Sequence, residues 1–184
     1  MVLIRHARPA DGAAIAALRA ESWQAAYAGI IRADVLAGWT GKQIITQTAE
    51  SITAERWQIM IVAETAGQRA GGEAEIVGFA ASGPERAKGG MPAGGGPGQA
   101  ARIELYAIYV APAHWSSGTG RALLAEELEQ ARSAGFERMS LWVLDENSRA
   151  RRFYEGAGFA ATGDRLVTTE LGGAVQVRYE RAVS

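Results

Sequence analysis

Apolar positions recur along this chain in two spacings, one typical of strands and one typical of helices. Short runs rich in β-branched and large apolar residues predict strands, whereas apolar residues three and four positions apart predict helices. We predict strands at residues 2–7, 57–64, 76–81, 103–110, 139–144, 159–168 and 174–181. We predict helices between Asp11 and Gly29 and at residues 34–52, 118–134 and 148–157. This order predicts an α/β (α+β) fold, in which helices pack on the faces of a sheet.

Glycine marks both the ends of helices and one long connection. Gly135-Phe136 and Gly158-Phe159 follow the last two predicted helices. At such positions glycine adopts the left-handed conformation that ends a helix, and the apolar residue after it folds back onto the last turn. Residues 83–101, by contrast, are mostly Gly, Pro, Ala and Lys, a composition that buries little and loses much backbone entropy on ordering. We expect a mobile surface loop there, inside a single domain spanning residues 1–184.

Composition and charge exclude several classes of function. Hydrophobic residues make up 48% and charged residues 21% of the 184 residues, which are values of a globular protein. The formal net charge of −1 provides no general attraction to nucleic acid or anionic lipid. The absence of cysteine excludes disulfides and thiolate metal sites, and two histidines exclude a His-rich metal site. Because neither a signal-peptide core nor a long apolar run is found, we expect a cytoplasmic protein without metal, nucleic-acid or membrane partners.

A run of small residues connects a predicted strand to a predicted helix at Ser116-Ser117-Gly118-Thr119-Gly120. Glycines let a backbone approach a ligand closely, and the free N–H groups at a helix start favour phosphate oxygens. The segment therefore predicts a pyrophosphate cradle, with a simple tight turn as the alternative. The dinucleotide fingerprint fails because Leu123 occupies its third small-residue position, and neither a P-loop nor a Gly-x-Ser-x-Gly elbow is present.

Two segments together resemble a known family. Residues 110–120 (VAPAHWSSGTG) and 147–159 (NSRARRFYEGAGF) are similar to the paired motifs of the GNAT superfamily of acetyl-CoA-dependent N-acetyltransferases. In that family the first motif, Gln/Arg-x-x-Gly-x-Gly/Ala, binds the CoA pyrophosphate, and the second lies near the acetyl thioester. The resemblance implies a mixed, mostly antiparallel sheet with helices on both faces, splayed near residues 110 and 141 to admit acetyl-CoA. It also implies acetyl transfer to a primary amine by direct attack in a ternary complex.

The resemblance assigns cofactor contacts residue by residue. The Val110 N–H matches the family's donor to the thioester carbonyl, where a preorganised bond stabilises developing negative charge. Asn147 is either a helix cap or a partner of the pantetheine arm. The complete set of implied cofactor-binding residues is Ile108, Val110, Trp115, Ser116, Ser117, Gly118, Thr119, Gly120, Arg121, Asn147, Ala150 and Tyr154.

Two residues match catalytic positions of the family. Glu104 occupies the place of a glutamate that acts as general base in some members, and strand alternation predicts that it shares a face with Tyr106, Ile108 and Val110. We expect partial burial to raise its pKa towards a useful range, the alternative being an ordinary solvent-facing carboxylate. Tyr154 matches the tyrosine that donates a proton to the departing thiolate, the alternative being a core tyrosine.

The loop departs from the family pattern in its charge. Trp115 stands where the family usually has Gln or Arg, and Ser117 stands where a basic residue is common. Some charge assistance to the pyrophosphate is therefore missing, which leaves Arg121 as the candidate to supply it. We expect the backbone N–H groups of residues 116–120 to do most of the holding.

The acceptor is not specified by the sequence beyond a small-molecule amine or a protein amino group. The stretch Ser22-Trp23-x-x-x-Tyr27-x-Gly29 on the first predicted helix is the candidate wall for it. The alternative is that Trp23 and Tyr27, four residues apart, are a core pair. Two other functions stay open, an acyl-CoA-binding sensor without turnover and an interaction module using Trp23, Trp39 and Trp57. Homodimers are common in the family, and the oligomeric state is left open.

Overall fold

The structure is a computed structural model that describes residues 2–38, 59–65, 74–86 and 101–183. Within these residues the strands are β1 (Val2–His6), β2 (Ile59–Thr65), β3 (Glu75–Pro84), β4 (Arg102–Val110), β5 (Arg138–Leu144), β6 (Ala160–Thr168) and β7 (Ala174–Ala182). The helices are α1 (Gly12–Tyr27), α2 (Ala33–Gly38), α3 (Thr119–Ser133) and α4 (Ser148–Gly156). None of the helices in this part of the chain is long and apolar enough to cross a bilayer. The predicted fold class and the order of elements are confirmed.

One seven-stranded sheet organises the molecule, in the order β1-β2-β3-β4-β5-β7-β6. Among the described strands only β4 and β5 run parallel, and every other neighbouring pair is antiparallel. The β4–β5 ladder contains four residue pairs and ends at Leu105↔Leu141, after which the two strands separate. The predicted splay of the sheet is therefore confirmed, and it begins just beyond Leu105.

A β-bulge in β4 changes which side chains share a face. β3 pairs Ala81 with Ala107 and Ser82 with Leu105, so Tyr106 is the extra residue. Because side chains alternate along a strand, one extra residue moves every later side chain to the other face. The expectation that Glu104, Tyr106, Ile108 and Val110 share one face is wrong for this reason.

Helices cover both faces of the sheet over separate hydrophobic cores. On one face α3 and α4 pack over Ile103, Leu105, Met139, Leu141 and Tyr179, all of them buried. On the other face α1 packs Ile15 and Leu18 against Val62 and Phe79. A third cluster joins α2 to the ends of β5 and β7 and comprises Ile31, Leu36, Leu144 and Leu171, with Trp23, Tyr27, Ile30, Val35 and Ala174 against it.

The predicted glycine-terminated helices are confirmed. Gly135 and Gly158 have φ of +85° and +86°, and the following Phe136 and Phe159 each donate a backbone bond of 3.0 Å into the last turn. The predicted loop starts too early, because Gly83 and Pro84 pair with Glu104 and Ile103 as part of β3. Backbone pairing with β4 overrides the loop-like composition at these two positions. Residues 87–100, and residues 39–52 of the second predicted helix, lie outside the described residues.

A carboxylic acid is buried between α3 and β3. Glu127 is 0% exposed, and the Ser82 hydroxyl donates to its Oε2 over 2.5 Å. Its Oε1 has no hydrogen-bond partner among the described residues. Burial raises the pKa of the Glu127 carboxyl from 4.5 to about 8, against the smaller lowering effect of the Ser82 bond. Glu127 therefore carries its proton in the folded protein at neutral pH.

We predict that Glu127 makes stability fall as pH rises. The unfolded chain releases this proton near pH 4.5, whereas the folded chain holds it to about pH 8, so the free energy of unfolding declines between these values. Glu127→Gln keeps nearly the same side-chain shape but carries no group that titrates between pH 5 and pH 9. Its Tm relative to the wild type should grow by roughly 4–10 °C between pH 5 and pH 9, measured by circular dichroism.

Glu126→Gln on the same helix is the matched control. Glu126 is only partly buried and accepts a bond of 2.9 Å from Gln130, so replacing it should widen the Tm difference between pH 5 and pH 9 far less than replacing Glu127 does. A Tm difference for Glu127→Gln that is constant from pH 5 to pH 9 would show that Glu127 is ionised in the folded state.

Candidate functional site

A cleft of about 650 Å³ opens where β4 and β5 separate. The C-terminal half of β4 and the loop to α3 form one wall, and the end of β5 with the first turns of α4 forms the other. The C-terminal end of α1 closes the cleft at Ser22, Ala25, Ala26 and Tyr27. The cleft therefore lies where both predicted motifs meet, between the start of α3 and the start of α4.

The backbone of Val110 borders this cleft in a fixed orientation. Val110 pairs with Gly78, and the next N–H, of Ala111, donates to Val77 O over 2.9 Å. In this antiparallel pattern the N–H and C=O of Val110 both point away from β3, towards the gap. Its carbonyl accepts bonds from Ser22 Oγ (3.1 Å) and Trp115 Nε1 (2.7 Å). The Val110 N–H is left directed at the cleft.

The loop before α3 has the geometry of an anion site. Ser116 has φ of +61° and Gly118 has φ of +90°, so the chain turns sharply before α3. Ser117 Oγ donates to His114 O (2.7 Å) and lies 2.8 Å from Thr119 Oγ1, which stiffens the turn. A Cβ at Gly118 would meet nothing within 4 Å, so this side of the loop faces open space. The first-turn N–H groups of α3 have no intrahelical partners and carry the positive end of the helix dipole.

This loop fits a phosphate group. Backbone N–H groups at a helix start suit phosphate oxygens, and the open space beside Gly118 leaves room for them. Arg121, exposed on the first turn of α3, also lines the cleft. Among the described residues no group of three His, Asp or Glu side chains could hold a metal ion.

Tyr154 reaches the cleft from α4. Its side chain is 9% exposed, with ring centroids 5.2 Å from Phe153 and 5.8 Å from Phe159. Burial, followed by the nearby Tyr109, raises the pKa of the Tyr154 phenol well above its ordinary value. The hydroxyl is therefore protonated at neutral pH and has a proton to donate.

Most predicted cofactor residues come together in the cleft. Asn147 lines it and also caps α4, since its Oδ1 accepts a bond of 3.0 Å from Ala150 N. Ser117 and Thr119 are outside the lining and contribute the hydroxyl contacts that support the loop. The predicted cofactor residues that line the cleft are Ile108, Val110, Trp115, Ser116, Gly118, Gly120, Arg121, Asn147, Ala150 and Tyr154.

Glu104 is not among the residues that line the cleft. It is 0% exposed, and its carboxylate accepts bonds from Arg86 N (2.9 Å) and Arg86 Nε (3.0 Å) and from the Arg86 guanidinium terminus. The bulge at Tyr106 separates its face from that of Ile108 and Val110. The alternative of a solvent-facing carboxylate is wrong, and burial is complete where partial burial was expected.

The two candidate acceptor residues have different surroundings. Tyr27 lines the cleft, whereas Trp23 packs edge-on against Tyr27 with a centroid distance of 4.6 Å and contacts the third hydrophobic cluster. Burial and the adjacent Tyr109 hydroxyl raise the pKa of the Tyr27 phenol. Both rings pack against the third hydrophobic cluster, and of the two only Tyr27 also lines the cleft.

Ser22, in the segment predicted as the acceptor wall, lines the cleft, is 2% exposed and connects α1 to β4 through its hydroxyl. Sequence reasoning missed two other features that shape the cleft. Gly78 lets α3 approach β3, because a Cβ there would lie 2.9 Å from Leu123 Cδ1. Arg149 stacks on Trp115, a contact between two separate motifs that no local spacing indicates.

Comparison with known proteins gives consistent results. Residues 45–159 match the model of the acetyltransferase (GNAT) family. A mycothiol acetyltransferase of Beutenbergia cavernae is 43% identical over 60 residues, which cover 33% of this chain and 20% of that protein. The N-acetyltransferase Rv2775 of Mycobacterium tuberculosis is 28% identical over 174 residues, or 94% of this chain and 87% of that one.

A solved structure shares the fold. The acetyltransferase yncA of Salmonella typhimurium, solved with its cofactor acetyl-CoA, has a TM-score of 0.67 and 20% sequence identity. The superposition covers 100% of this chain and 95% of that chain. At this identity the likeness shows the architecture of the sheet and helices.

Proposed function

The chain belongs to the acetyltransferase (GNAT) family, and we propose that it transfers an acetyl group from acetyl-CoA to a primary amine by direct attack in a ternary complex. One observation carries the proposal. The splay of β4 and β5 lies beside a helix-start loop with open space at Gly118, so an extended cofactor can enter between the strands with its phosphates at α3. The related N-acetyltransferases and the acetyl-CoA complex of yncA support the same reading.

Each described wall of the cleft has a separate task in this proposal. Acetyl-CoA, when bound, supplies an acetyl thioester activated towards amines. The loop of residues 116–120 holds the pyrophosphate, and the Val110 N–H donates to the thioester carbonyl as negative charge develops there. Tyr154 donates its proton towards the departing sulfur, which a phenol kept protonated by burial is able to do.

The general base, the acceptor, the cellular location and the oligomeric state complete the proposal. Glu104 stays a prediction as the general base, since its carboxylate can act on an amine or water only when Arg86 moves away from it. The amine acceptor, either a small molecule or a protein amino group, is proposed by class alone. Cytoplasmic location and a homodimer likewise stay predictions.

Turnover tests the proposed function directly. Thiol release from acetyl-CoA, corrected for hydrolysis, is measured across a panel of primary amines that includes polyamines, amino acids, N-terminal peptides and lysine peptides. Amine-dependent release is the expected result. Binding of CoA without release for any amine would favour the acyl-CoA sensor, and absence of both binding and release would favour an interaction module.

We predict that Gly118→Asp abolishes binding of acetyl-CoA. The new carboxylate would project into the open side of the loop, where it both occupies space and repels phosphate. In the wild type, acetyl-CoA at a hundredfold excess over Kd should stabilise the fold by about 2.7 kcal/mol, measured as a thermal shift. The variant should show no shift.

Gly135→Asp is the control for backbone strain and added charge. Gly135 has a similar φ of +85°, also has open space for a Cβ, and lies at the opposite end of α3. This variant should bind acetyl-CoA normally. A folded Gly118→Asp protein that binds as well as Gly135→Asp would place the phosphate site elsewhere.

We predict that Tyr154→Phe lowers kcat by roughly 10- to 1,000-fold, because it removes the proton donor. The Kd for acetyl-CoA should change little, since the ring keeps its contacts with Phe153 and Phe159. Tyr179→Phe is the matched control: Tyr179 is buried, and its hydroxyl bonds Glu155 and Arg151 outside the cleft. An unchanged kcat in Tyr154→Phe, with chemistry limiting the rate, would exclude the donor role.

We predict opposite effects for the two candidate acceptor residues. Tyr27→Phe should raise KM for the acceptor several-fold with little loss of Tm, because Tyr27 lines the cleft and the ring keeps its packing when only the hydroxyl is removed. Trp23→Leu should lower Tm and leave KM unchanged, because Trp23 packs against the third hydrophobic cluster and is outside the cleft lining. If both variants lower Tm without changing KM, the acceptor binds along another wall.

A further inference from the structure

A stacked pair of side chains stands where the loop and α4 meet. The Arg149 guanidinium carbon lies 3.8 Å from the centroid of the Trp115 ring. Trp115 is itself held by the bond from its Nε1 to Val110 O, 2.7 Å long. Both side chains line the cleft. The ring therefore fixes a guanidinium beside the residues that begin the phosphate loop.

The charge of Arg149 is not used by the protein fold. No carboxylate among the described residues forms an ion pair with it, whereas Arg151, two positions on, pairs with Asp145 over 2.7 Å. Arg149 also lies in the first turn of α4, where a cation opposes the helix dipole. A positive charge at this position does not stabilise the helix. We therefore look for an anionic ligand that the Arg149 guanidinium would bind.

The ligand must be anionic and placed next to the loop. A guanidinium stacked on a ring keeps its N–H edge free, and that edge matches two oxygens of a phosphate at once. Residues 115–118 contain no lysine or arginine, so the N–H groups there would bind a phosphate without a basic side chain from the same segment. Of the arginines in the described residues, only Arg121 and Arg149 line the cleft.

We propose that Arg149, oriented by the Trp115 ring, binds the pyrophosphate of CoA and takes the place of the basic residue that the loop lacks. This inference rests on the proposed function, because it presupposes CoA in the cleft. The pyrophosphate is favoured over the 3′-phosphate, since Trp115 directly precedes the loop of residues 116–120 and contacts the carbonyl of Val110. Trp115 is a positioning residue in this arrangement.

Calorimetric titration with CoA tests the proposal without turnover. Arg149→Gln should raise Kd roughly 10- to 100-fold and reduce its dependence on salt, as expected when a charged hydrogen bond is lost. Arg152→Gln is the matched control, since Arg152 is exposed on the same helix outside the cleft lining, and its Kd should change less than threefold. Equal Kd values for the wild type and Arg149→Gln would overturn the proposal.

Shortened ligands identify the phosphate. Dephospho-CoA lacks the 3′-phosphate, and Arg149→Gln should weaken its binding by the same factor as for CoA. Pantetheine lacks all phosphates, so its weak binding should be unaffected. If the loss disappears with dephospho-CoA, Arg149 contacts the 3′-phosphate and the assignment to pyrophosphate is wrong. If the wild type itself binds no CoA, the proposed function fails, an outcome distinct from normal binding by Arg149→Gln.

The role of Trp115 is tested by a double-mutant cycle. Trp115→Phe keeps a ring under Arg149 and should retain most of the affinity, whereas Trp115→Leu should lose a large part of it. In the Arg149→Gln background Trp115→Leu should cost little more, because the two residues act together. Full additivity of the two losses, with both proteins folded by circular dichroism, would show that Trp115 acts only on the loop structure.

Discussion

Two parallel strands that stop pairing leave a row of backbone N–H and C=O groups that must find other partners. In this chain the β4–β5 ladder ends at Leu105↔Leu141, and the backbone of β4 beyond it faces a gap. The carbonyl of Val110 finds partners inside the protein, because Ser22 and Trp115 both donate hydrogen bonds to it. The N–H groups of Ile108 and Val110 are left facing the cleft. The rest of the site is arranged around these exposed donors.

Packing surrounds the gap from both faces of the sheet. α1 and α3–α4 pack over separate cores on opposite faces, and the α3–α4 core also contacts Ile108 and Val110 beyond the end of the β4–β5 ladder. Gly78 allows α3 to seat closely on β3, which brings the loop of residues 116–120 to the level of Val110. α3 and α4 meet at Gly120, where a Cβ would lie in ordinary van der Waals contact with Phe153 at 3.6 Å. The loop of residues 116–120, the Val110 N–H and Tyr154 thus surround one cavity.

Most of this fold is readable from the sequence because its signals are local. Strand runs, the Gly-Phe helix ends and the motifs of residues 110–120 and 147–159 each depend on neighbours along the chain. The environment of Glu104 could not be predicted from such local signals. A bulge at Tyr106 reverses the later faces of β4, and Arg86 pairs with the carboxylate across strands. The Arg149–Trp115 stack is equally a tertiary contact, formed only when α4 docks beside the loop.

Residue-resolved amide hydrogen exchange with and without acetyl-CoA observes the unpaired donors of β4 themselves. We expect acetyl-CoA to slow exchange at Ile108 and Val110 and at the loop of residues 116–121. Exchange in β1 and β6, at the two edges of the sheet, should not change. If saturating acetyl-CoA leaves the N–H groups of Ile108 and Val110 exchanging at their original rates while protecting residues elsewhere, the cofactor does not bind at the gap between β4 and β5.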